Sequence, residues 1–560
     1  MNRAVLSLAG AAAALIIVIG VIAVLLVTQG GDDDFNTGGD RAQATEQASG
    51  GDGNGGASGD RVLRLPGSDP ITLDPALAQD VESATYVVEI FGGLVTLDQN
   101  LDVVPDLAAE LPTEENGGIS ADGTVYTFHI RDDAFFHDRR PVTAEDVKYS
   151  WERALDPSTA SVVAEFYLGD IVGARDKARG RADEVSGIEV VDDRTLRVTI
   201  DAPKQYFLQK LTYPTAFVVD RREVDSNPRN WTLKPNGTGP FKLKEWRLGE
   251  RIVLEANRDY HLGAPKVDEV QFLLAGGGLS AYEAGDVDIA GVPLDDTERI
   301  QDPSEPLNAE YHTADDLSIF YIGFNTERPP FDDAKVRQAF AMAIDRAKIN
   351  EVVLFDRARV ANGIMPPGLP GHDPRAQALP FDPERARQTL AESKYGGPDG
   401  LPEVTVAESG GGASAGPILE TVVAMWKDNL GVDVKIQQAQ SATFFADIDA
   451  GRYQAFNLGW IMDYPDPEDL LDIKFHSRSR QNDTRYANSE VDALLEQART
   501  ERDRQRRYEL YREVERLIIE DAPWIPMFFG RDHVLIKPYV KDYLLTPIVV
   551  PKLRLVSIER

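Results

Sequence analysis

Ser414 is the residue of this chain whose sequence context most resembles that of a catalytic nucleophile. It lies at the centre of GASAG (residues 412–416), which fits the G-x-S-x-G pattern of serine hydrolases, and His476 and His533 follow as candidate bases. That pattern needs one sharp turn, whereas ESGGGASAGP (residues 408–417) is a long, glycine-rich stretch without an upstream HGGG-type oxyanion motif. We interpret it as a loop between a strand and a helix and predict that the chain is not an enzyme. A secreted hydrolase that uses Ser414 is the disfavoured alternative.

Other catalytic and cofactor sites find little support in the composition. The seven histidines are scattered, no H-E-x-x-H or G-x-x-x-x-G-K-[ST] motif occurs, and there is no cysteine. A P-loop ATPase, a thiolate metal site and a cysteine nucleophile are therefore excluded, and a histidine-rich metal site is not supported. The net charge of -33 would repel phosphate, so nucleic acid is not an expected partner. We predict no cofactor and no metal.

The segment GWIMDYPDP (residues 459–467) places a carboxylate beside an indole in a run typical of neither strand nor helix. Asp466, which a proline and two acids follow, has the pattern of a helix N-cap. This interpretation leaves Asp463 without a structural role. Beside Trp460 and Tyr464, its carboxylate could accept charge-assisted hydrogen bonds from an ammonium group, and the indole could form an apolar or cation–π wall. From the motif alone, a ligand site and a solvated turn are equally open.

The N-terminal segment determines where these residues act. Ala4 to Val27 carries no charge and would span about 36 Å as a helix, enough for a hydrocarbon layer of roughly 30 Å. We predict that residues 1–28 form an uncleaved transmembrane anchor with its N-terminus in the cytoplasm. A cleaved signal peptide is the alternative. Residues 29–60 are rich in glycine and aspartate and are predicted to form a disordered tether, so the body faces outward.

The body from Arg61 onward alternates strand-like and helical runs without a repeat of fixed period. Such a mixture, in a chain too long for one hydrophobic core, predicts an α/β body of at least two lobes. Alternating apolar residues predict strands, and N-capping residues before an apolar stripe predict helices. We predict a strand at residues 125–131, a hairpin at residues 239–257 turning near Gly249, helices starting at Thr143, at Asp332 or Asp333 (to about Asn350), at Asp382, at Ser489 and at Asp503, and short strands over the last 40 residues.

Several segments of the body resemble the extracytoplasmic solute-binding proteins of ABC importers, family 5, of the oligopeptide- and dipeptide-binding type. The likeness spans residues 62 to about 549, and its first segment is highly specific to the family. The segments are YTFHIRDDAFFHDRRPVTAEDVKYSWERALDP (Tyr126 to Pro157), NGTGPFKLKEWRLGERIVLEANRDYH (Asn236 to His261), FNTERPPFDDAKVRQAFAMAIDRAKI (Phe324 to Ile349), MPPGLPG (Met365 to Gly371) and GWIMDYPDP.

The resemblance implies a two-lobed clamshell of the periplasmic-binding-protein type, class II or cluster C, with an extra subdomain in lobe I. Lobe I would comprise residues 61–311, lobe II residues 312–522, and residues 523–560 would return to lobe I. The implied protein is a monomer on the outer face of the cytoplasmic membrane. It would bury a peptide as the lobes close and then dock on an ABC permease and its ATPase subunits.

The resemblance also implies a set of ligand-binding residues. The aspartate of the G-W-x-x-D-Y segment would pair with the α-ammonium group of the peptide. Main-chain groups of that segment and of a segment in the other lobe would pair with the peptide backbone, as in strand addition. The matching residues are Asp463, Trp460, Gly459 and Ile461 in one lobe, and Val81, Glu82, Ser83 and Tyr149 in the other.

The chain departs from this pattern where the carboxylate of a peptide would bind. Positions expected to hold arginines hold Ile448 and Asn457, and Arg452 is out of register. The identity of the solute is therefore open between an oligopeptide and the opines, sugars, haem or nickel complexes that relatives bind. The low histidine content makes nickel the less favoured of these. A sensory ectodomain that signals through a membrane partner is a further alternative.

Overall fold

The computed structural model describes residues 61–410 and 416–560. The predicted anchor (residues 1–28), the predicted tether (residues 29–60) and Ser414 lie outside these ranges. Within the two ranges, no helix combines the length and the apolar character that crossing a bilayer requires.

The described residues contain strands that range from two to fourteen residues. In chain order they are β1 (Val62–Pro66), β2 (Val95–Leu97), β3 (Val103–Pro105), β4 (Val125–His129), β5 (Ile188–Asp192), β6 (Thr195–Thr199), β7 (Phe241–Arg247), β8 (Arg251–Ala256), β9 (Glu269–Leu273), β10 (Ile289–Gly291), β11 (Tyr311–Phe324), β12 (Arg359–Val360), β13 (Val404–Ser409), β14 (Val434–Ala439), β15 (Ala455–Ile461), β16 (Trp524–Ile536), β17 (Val540–Lys541) and β18 (Ser557–Ile558).

The α-helices of the same ranges are mostly short, and the longest has 18 residues. They are α1 (Val81–Ile90), α2 (Ala144–Ala154), α3 (Ala164–Leu168), α4 (Ala174–Ala178), α5 (Phe207–Lys210), α6 (Arg221–Ser226), α7 (Leu279–Ala284), α8 (Thr297–Gln301), α9 (Ala334–Met342), α10 (Arg346–Val352), α11 (Pro383–Ala391), α12 (Pro417–Leu430), α13 (Ser441–Asp449), α14 (Ile473–Phe475), α15 (Ser489–Thr500) and α16 (Arg504–Asp521).

The largest sheet has the strand order β10-β16-β11-β15-β13-β14, with β12 also paired to β16. Two further sheets have the orders β1-β9-β8-β7 and β4-β6-β5. β11 and β16 run antiparallel, and an irregularity between Asp315 and Ile319 divides their pairing into two stretches. Only the second stretch of β11 pairs with β15. The long strands β11 and β16 therefore connect the part of the sheet that contains β10 to the part that contains β15.

Separate apolar cores surround these sheets. One core is built around β4, β6 and α2, and a second around β1, β8 and β9. Others are formed on the largest sheet. Tyr464, from the GWIMDYPDP segment, is buried in the core around β4, although it is far from that strand in the chain. This contact holds the GWIMDYPDP segment against the core around β4.

Several predicted elements are confirmed because short-range signals specify them. Thr143 and Asp146 form a capping box at the start of α2. The β7–β8 hairpin turns at Gly249, where φ is +71°. Asp382 caps α11, and the two predicted helices near the C-terminus are α15 and α16.

Two predictions are wrong in part. The helix expected to run to about Asn350 is interrupted: α9 ends at Met342, and α10 starts at Arg346. Asp345 provides a second N-cap, because its carboxylate accepts the Lys348 amide at 2.9 Å. The last 40 residues do not contain short strands alone. They include β16, a strand of 13 residues whose first seven residues are buried in the largest sheet.

Candidate ligand-binding cavity

A cavity of about 750 Å³ lies between the segment that carries α3 to α5 and the segment that follows β15. This volume is within the roughly 300–1,000 Å³ of small-molecule pockets. Its walls come from four parts of the chain, within residues 79–97, 162–214, 460–500 and 549–551. Asp463, Trp460, Ile461 and Val81, four of the predicted ligand-binding residues, line it.

Asp463 is held in the cavity wall by contacts on both sides. Its backbone amide donates to Asp469 Oδ2 at 2.8 Å, which fixes the turn after β15. Its carboxylate Oδ2 accepts the hydroxyl of Tyr167 at 2.5 Å. The ring of Tyr167 in turn stacks on Tyr213, with centroids 3.9 Å apart. These contacts orient the carboxylate and leave it without a bonded cation among the described residues.

Acidic groups outnumber cations around Asp463, which makes its ionised form unfavourable unless a further cation is present. Burial raises the pKa of Asp463 to about 7. Asp469 is fully buried next to it, and burial together with the Asp463 charge raises the pKa of Asp469 well above its usual range. The neighbouring cation, Lys474, pairs with Asp483 at 2.5 Å and lies 4.7 Å from the centre of the Trp460 ring. The site is therefore suited to accept an additional positive charge, such as an ammonium group.

Asp466 has a different role, as the sequence predicts. Its Oδ1 accepts the Glu468 amide at 2.9 Å at the start of a helical run. That run begins as a π-helix at Glu468–Asp472 and continues as α14. Its carboxylate also makes a bidentate pair with the buried Arg507 at 2.6 and 2.7 Å, which the sequence did not reveal. The acid with structural partners and the acid in the cavity are thus separate residues.

Among the residues that the structure describes, the edge of β15 that faces β13 is unpaired after Phe456, beside the cavity. β13 pairs with β15 only as far as Phe456. On the other edge, the amide of Met462, directly after β15, donates to the Leu317 carbonyl at 2.9 Å. Because backbone groups alternate in direction along a strand, those of Gly459 and Ile461 point away from β11. They face the edge that β13 leaves unpaired, which is the direction strand addition requires.

The residues predicted on the other lobe are placed less favourably. Val81 lines the cavity, but Val81, Glu82 and Ser83 form the first turn of α1 and are not extended. The Ser83 amide already donates to Asp80 at 2.8 Å. Tyr149 lies outside the cavity lining, on α2, with its ring 5.2 Å from the Arg221 guanidinium. A ligand role for Glu82, Ser83 and Tyr149 stays a prediction that this placement does not favour.

Ile448 and Asn457, which occupy the positions expected to hold arginines, and the nearby Arg452 do not line the cavity. Ile448 is buried in a core, the Asn457 amide donates to Glu408 at 3.3 Å, and Arg452 pairs with Asp447. Of the two candidate catalytic histidines, His476 lines the cavity and His533 lies on β16. In residues 61–410 and 416–560, no group of three or more histidine or acidic residues could hold a metal ion.

The sequence does not predict the cavity residues Tyr167, on α3, and Lys210, on α5. Lys210 is buried, and its Nζ lies 3.2 Å from both Asp170 Oδ2 and Glu468 Oε1. Burial lowers its pKa, but Asp170 and Glu468 outweigh that effect and raise the pKa above the usual value. Like the Tyr167–Asp463 hydrogen bond, the ion pair of Lys210 with Glu468 joins two walls of the cavity. No local motif marks Tyr167 or Lys210, since their partners are distant in the chain.

Comparisons with known proteins agree with this architecture. Residues 102–482 match the family model of bacterial extracellular solute-binding proteins, family 5. The dipeptide-binding protein DppE of Bacillus subtilis is 30% identical over 509 residues, which cover 88% of this chain and 91% of that protein. The probable deoxycholate-binding periplasmic protein YgiS of Escherichia coli is 31% identical over 498 residues, covering 85% and 89%.

A solved structure extends the likeness to the fold. The murein tripeptide binding protein MppA of Escherichia coli superposes with a TM-score of 0.77 at 29% identity, over 90% of this chain and 99% of that one. The predicted α/β two-lobed fold is thereby confirmed. The chain belongs to family 5 of the bacterial extracellular solute-binding proteins.

Proposed function

We propose that this protein captures oligopeptides in the cavity between its lobes and delivers them to an ABC permease with its ATPase subunits. The observation that carries the proposal is the open edge of β15, where Gly459 and Ile461 present backbone groups next to the half-buried carboxylate of Asp463 in the cavity wall. A peptide added along this edge would place its α-ammonium group at Asp463. Main-chain pairing would accept varied side chains. The names of DppE and MppA support a peptide ligand.

The proposal includes the arrangement of the whole chain. Residues 1–28 anchor a monomer in the cytoplasmic membrane, and residues 29–60 tether the body outside it. Lobe I comprises residues 61–311 and 523–560 and contains an extra subdomain, as in class II or cluster C proteins, and lobe II comprises residues 312–522. The tether keeps the body near a permease and so raises its effective concentration there.

Native mass spectrometry of residues 61–560, purified without refolding, tests the ligand class. We expect a spread of peptide masses bound to the folded protein, because backbone pairing at the β15 edge does not select side chains. A single non-peptide mass would contradict the proposal while leaving the two-lobed fold in place.

A carboxylate-bearing, non-peptide solute is the second candidate. It is favoured by the 31% identity with YgiS, whose name describes a probable deoxycholate-binding protein. The same native mass measurement separates the two candidates. Peptides give a distribution of masses, whereas a bile acid gives one mass that added deoxycholate reproduces.

Peptide affinity should decrease as the pH falls below about 7. Burial raises the pKa of Asp463 to about 7 in the ligand-free protein, and an ammonium group binds the ionised carboxylate. Below that pH, binding must first release a proton, so affinity falls by up to about tenfold per pH unit. Calorimetry from about pH 5 to 8, in buffers of different ionisation enthalpy, would count this proton. An affinity that does not change over this range would contradict the role of Asp463.

The membrane anchor is testable by the mass of the mature protein. If residues 1–28 remain attached, the protein from the membrane fraction of its host has an N-terminal peptide that begins before Ala4. High salt should not release it, since a transmembrane helix is held by apolar burial rather than by charge. An N-terminus between residues 28 and 60 would instead establish a cleaved signal peptide.

A further inference from the structure

The cationic residues that line the cavity are of two kinds. Among the described residues, seven lysines and arginines line it. Five of them form ion pairs with carboxylates of the protein, namely Arg179, Lys204, Lys210, Arg478 and Arg499. The other two, Arg175 and Arg480, have no acidic partner in residues 61–410 and 416–560. Their positive charges are therefore available to a ligand.

Arg175 and Arg480 come from different walls of the cavity. Arg175 lies on α4, in the same wall as Tyr167, and Arg480 lies in the loop after α14. Both side chains are exposed, as is the neighbouring Arg478, whose side chain is 75% accessible. An unpaired, exposed positive charge on each wall is notable in a protein with a net charge of -33. These two charges lie on the exposed part of the cavity lining.

The cavity lining also contains a group of the opposite charge. Asp463 is held there by the Tyr167 hydroxyl, beside the buried Asp469, with no bonded cation among the described residues. The cavity lining thus has an acid without a bonded cation at the half-buried Asp463 and unpaired cations at the exposed Arg175 and Arg480, among the residues that the structure describes. A ligand with an ammonium group at one end and a carboxylate at the other complements the acid and the two cations at once.

We infer that Arg175 and Arg480 bind the carboxylate of the ligand, from different walls of the cavity, when the lobes close around it. This rests on the proposed function and specifies how the peptide is oriented, with its amino end at Asp463 and its carboxylate at the two arginines. A carboxylate held by both walls adds contacts that exist only in the closed state, so it favours closure.

The test compares trialanine to pentaalanine peptides with free or amidated carboxyl termini. Calorimetry would be run on residues 61–560 of the wild type, on Arg175→Gln, on Arg480→Gln and on the double variant. Each replacement should weaken binding of the free acids about tenfold and leave the amides unchanged. The double variant should bind acids and amides equally. Arg229→Gln is the matched control, because Arg229 is exposed and lies outside the cavity lining.

The outcomes separate this inference from the function on which it rests. If the double variant still prefers acids over amides by the wild-type ratio, the carboxylate binds elsewhere and the inference is wrong. A second result is that wild type binds deoxycholate but neither peptide form, and that the double variant loses deoxycholate binding. That result would support the carboxylate site and contradict the peptide function. If wild type binds none of these probes, both proposals fall. Thermal unfolding of each variant would exclude a folding defect, which exposed Arg→Gln changes should not cause.

Discussion

Replacing Asp463 by asparagine will weaken the binding of a peptide with a free amino terminus by about 2–5 kcal/mol. The substitution keeps the shape of the side chain and removes the charge that would pair with the ammonium group. The effect should be large because Asp463 lies in the cavity wall, where desolvation raises its pKa to about 7 and a bound ligand would exclude water from the pair. The Tyr167 hydroxyl, at 2.5 Å, would still have an amide oxygen as acceptor.

The affinity would be measured by calorimetry with one peptide in its free and N-acetylated forms. Acetylation of the peptide should reduce its binding free energy to wild type about as much as the substitution does. It should change the binding free energy of the Asp463→Asn variant little. Asp433→Asn is the matched control, since Asp433 is an exposed acid outside the cavity that pairs with Lys427. An unchanged affinity for the free peptide would make Asp463 a turn residue and would remove the main support for an ammonium site.

Replacing Arg507 by alanine will lower the free energy of unfolding by about 3–5 kcal/mol, the usual effect of breaking a buried ion pair. Arg507 is 1% exposed and makes bidentate bonds of 2.6 and 2.7 Å to Asp466, which is 4% exposed. It also donates to the Ala498 carbonyl at 3.1 Å and lies 5.1 Å from the centre of the Tyr206 ring. Its loss leaves the carboxylate of Asp466 buried without a cation.

Urea unfolding of ligand-free residues 61–560, followed by tryptophan fluorescence and circular dichroism, would measure the change. Arg516→Ala is the matched control on the same helix, because Arg516 is 48% exposed and pairs only with Glu513 and Glu520. Arg516→Ala should lower the free energy of unfolding by less than about 1 kcal/mol. Equal effects of the two substitutions would show that the Asp466–Arg507 pair contributes nothing beyond an exposed one. Since Asp466 precedes α14 in the cavity wall, Arg507→Ala should also weaken peptide binding.

The local sequence is sufficient to predict features that depend only on residues a few positions apart. The capping box of Thr143 and Asp146, the N-cap at Asp382 and the turn at Gly249 each follow from residues a few positions apart. The separation of Asp463 from the structural acid Asp466 belongs to this group, because one acid suffices to cap the helical run. The interruption of the helix predicted to reach Asn350 also has a local cause, because Asp345 provides a second N-cap.

The surroundings of Asp463 and the pKa of its carboxyl group depend on contacts between distant segments of the chain. Tyr167 lies 296 positions away, and no spacing rule relates the two residues. The open edge of β15 depends on where β13 stops pairing, and the sequence of β15 does not contain that information. The raised pKa of Asp463 likewise results from burial by residues of both lobes. Caps and turns are set by short-range hydrogen bonds, whereas desolvation and strand pairing arise when distant segments come together.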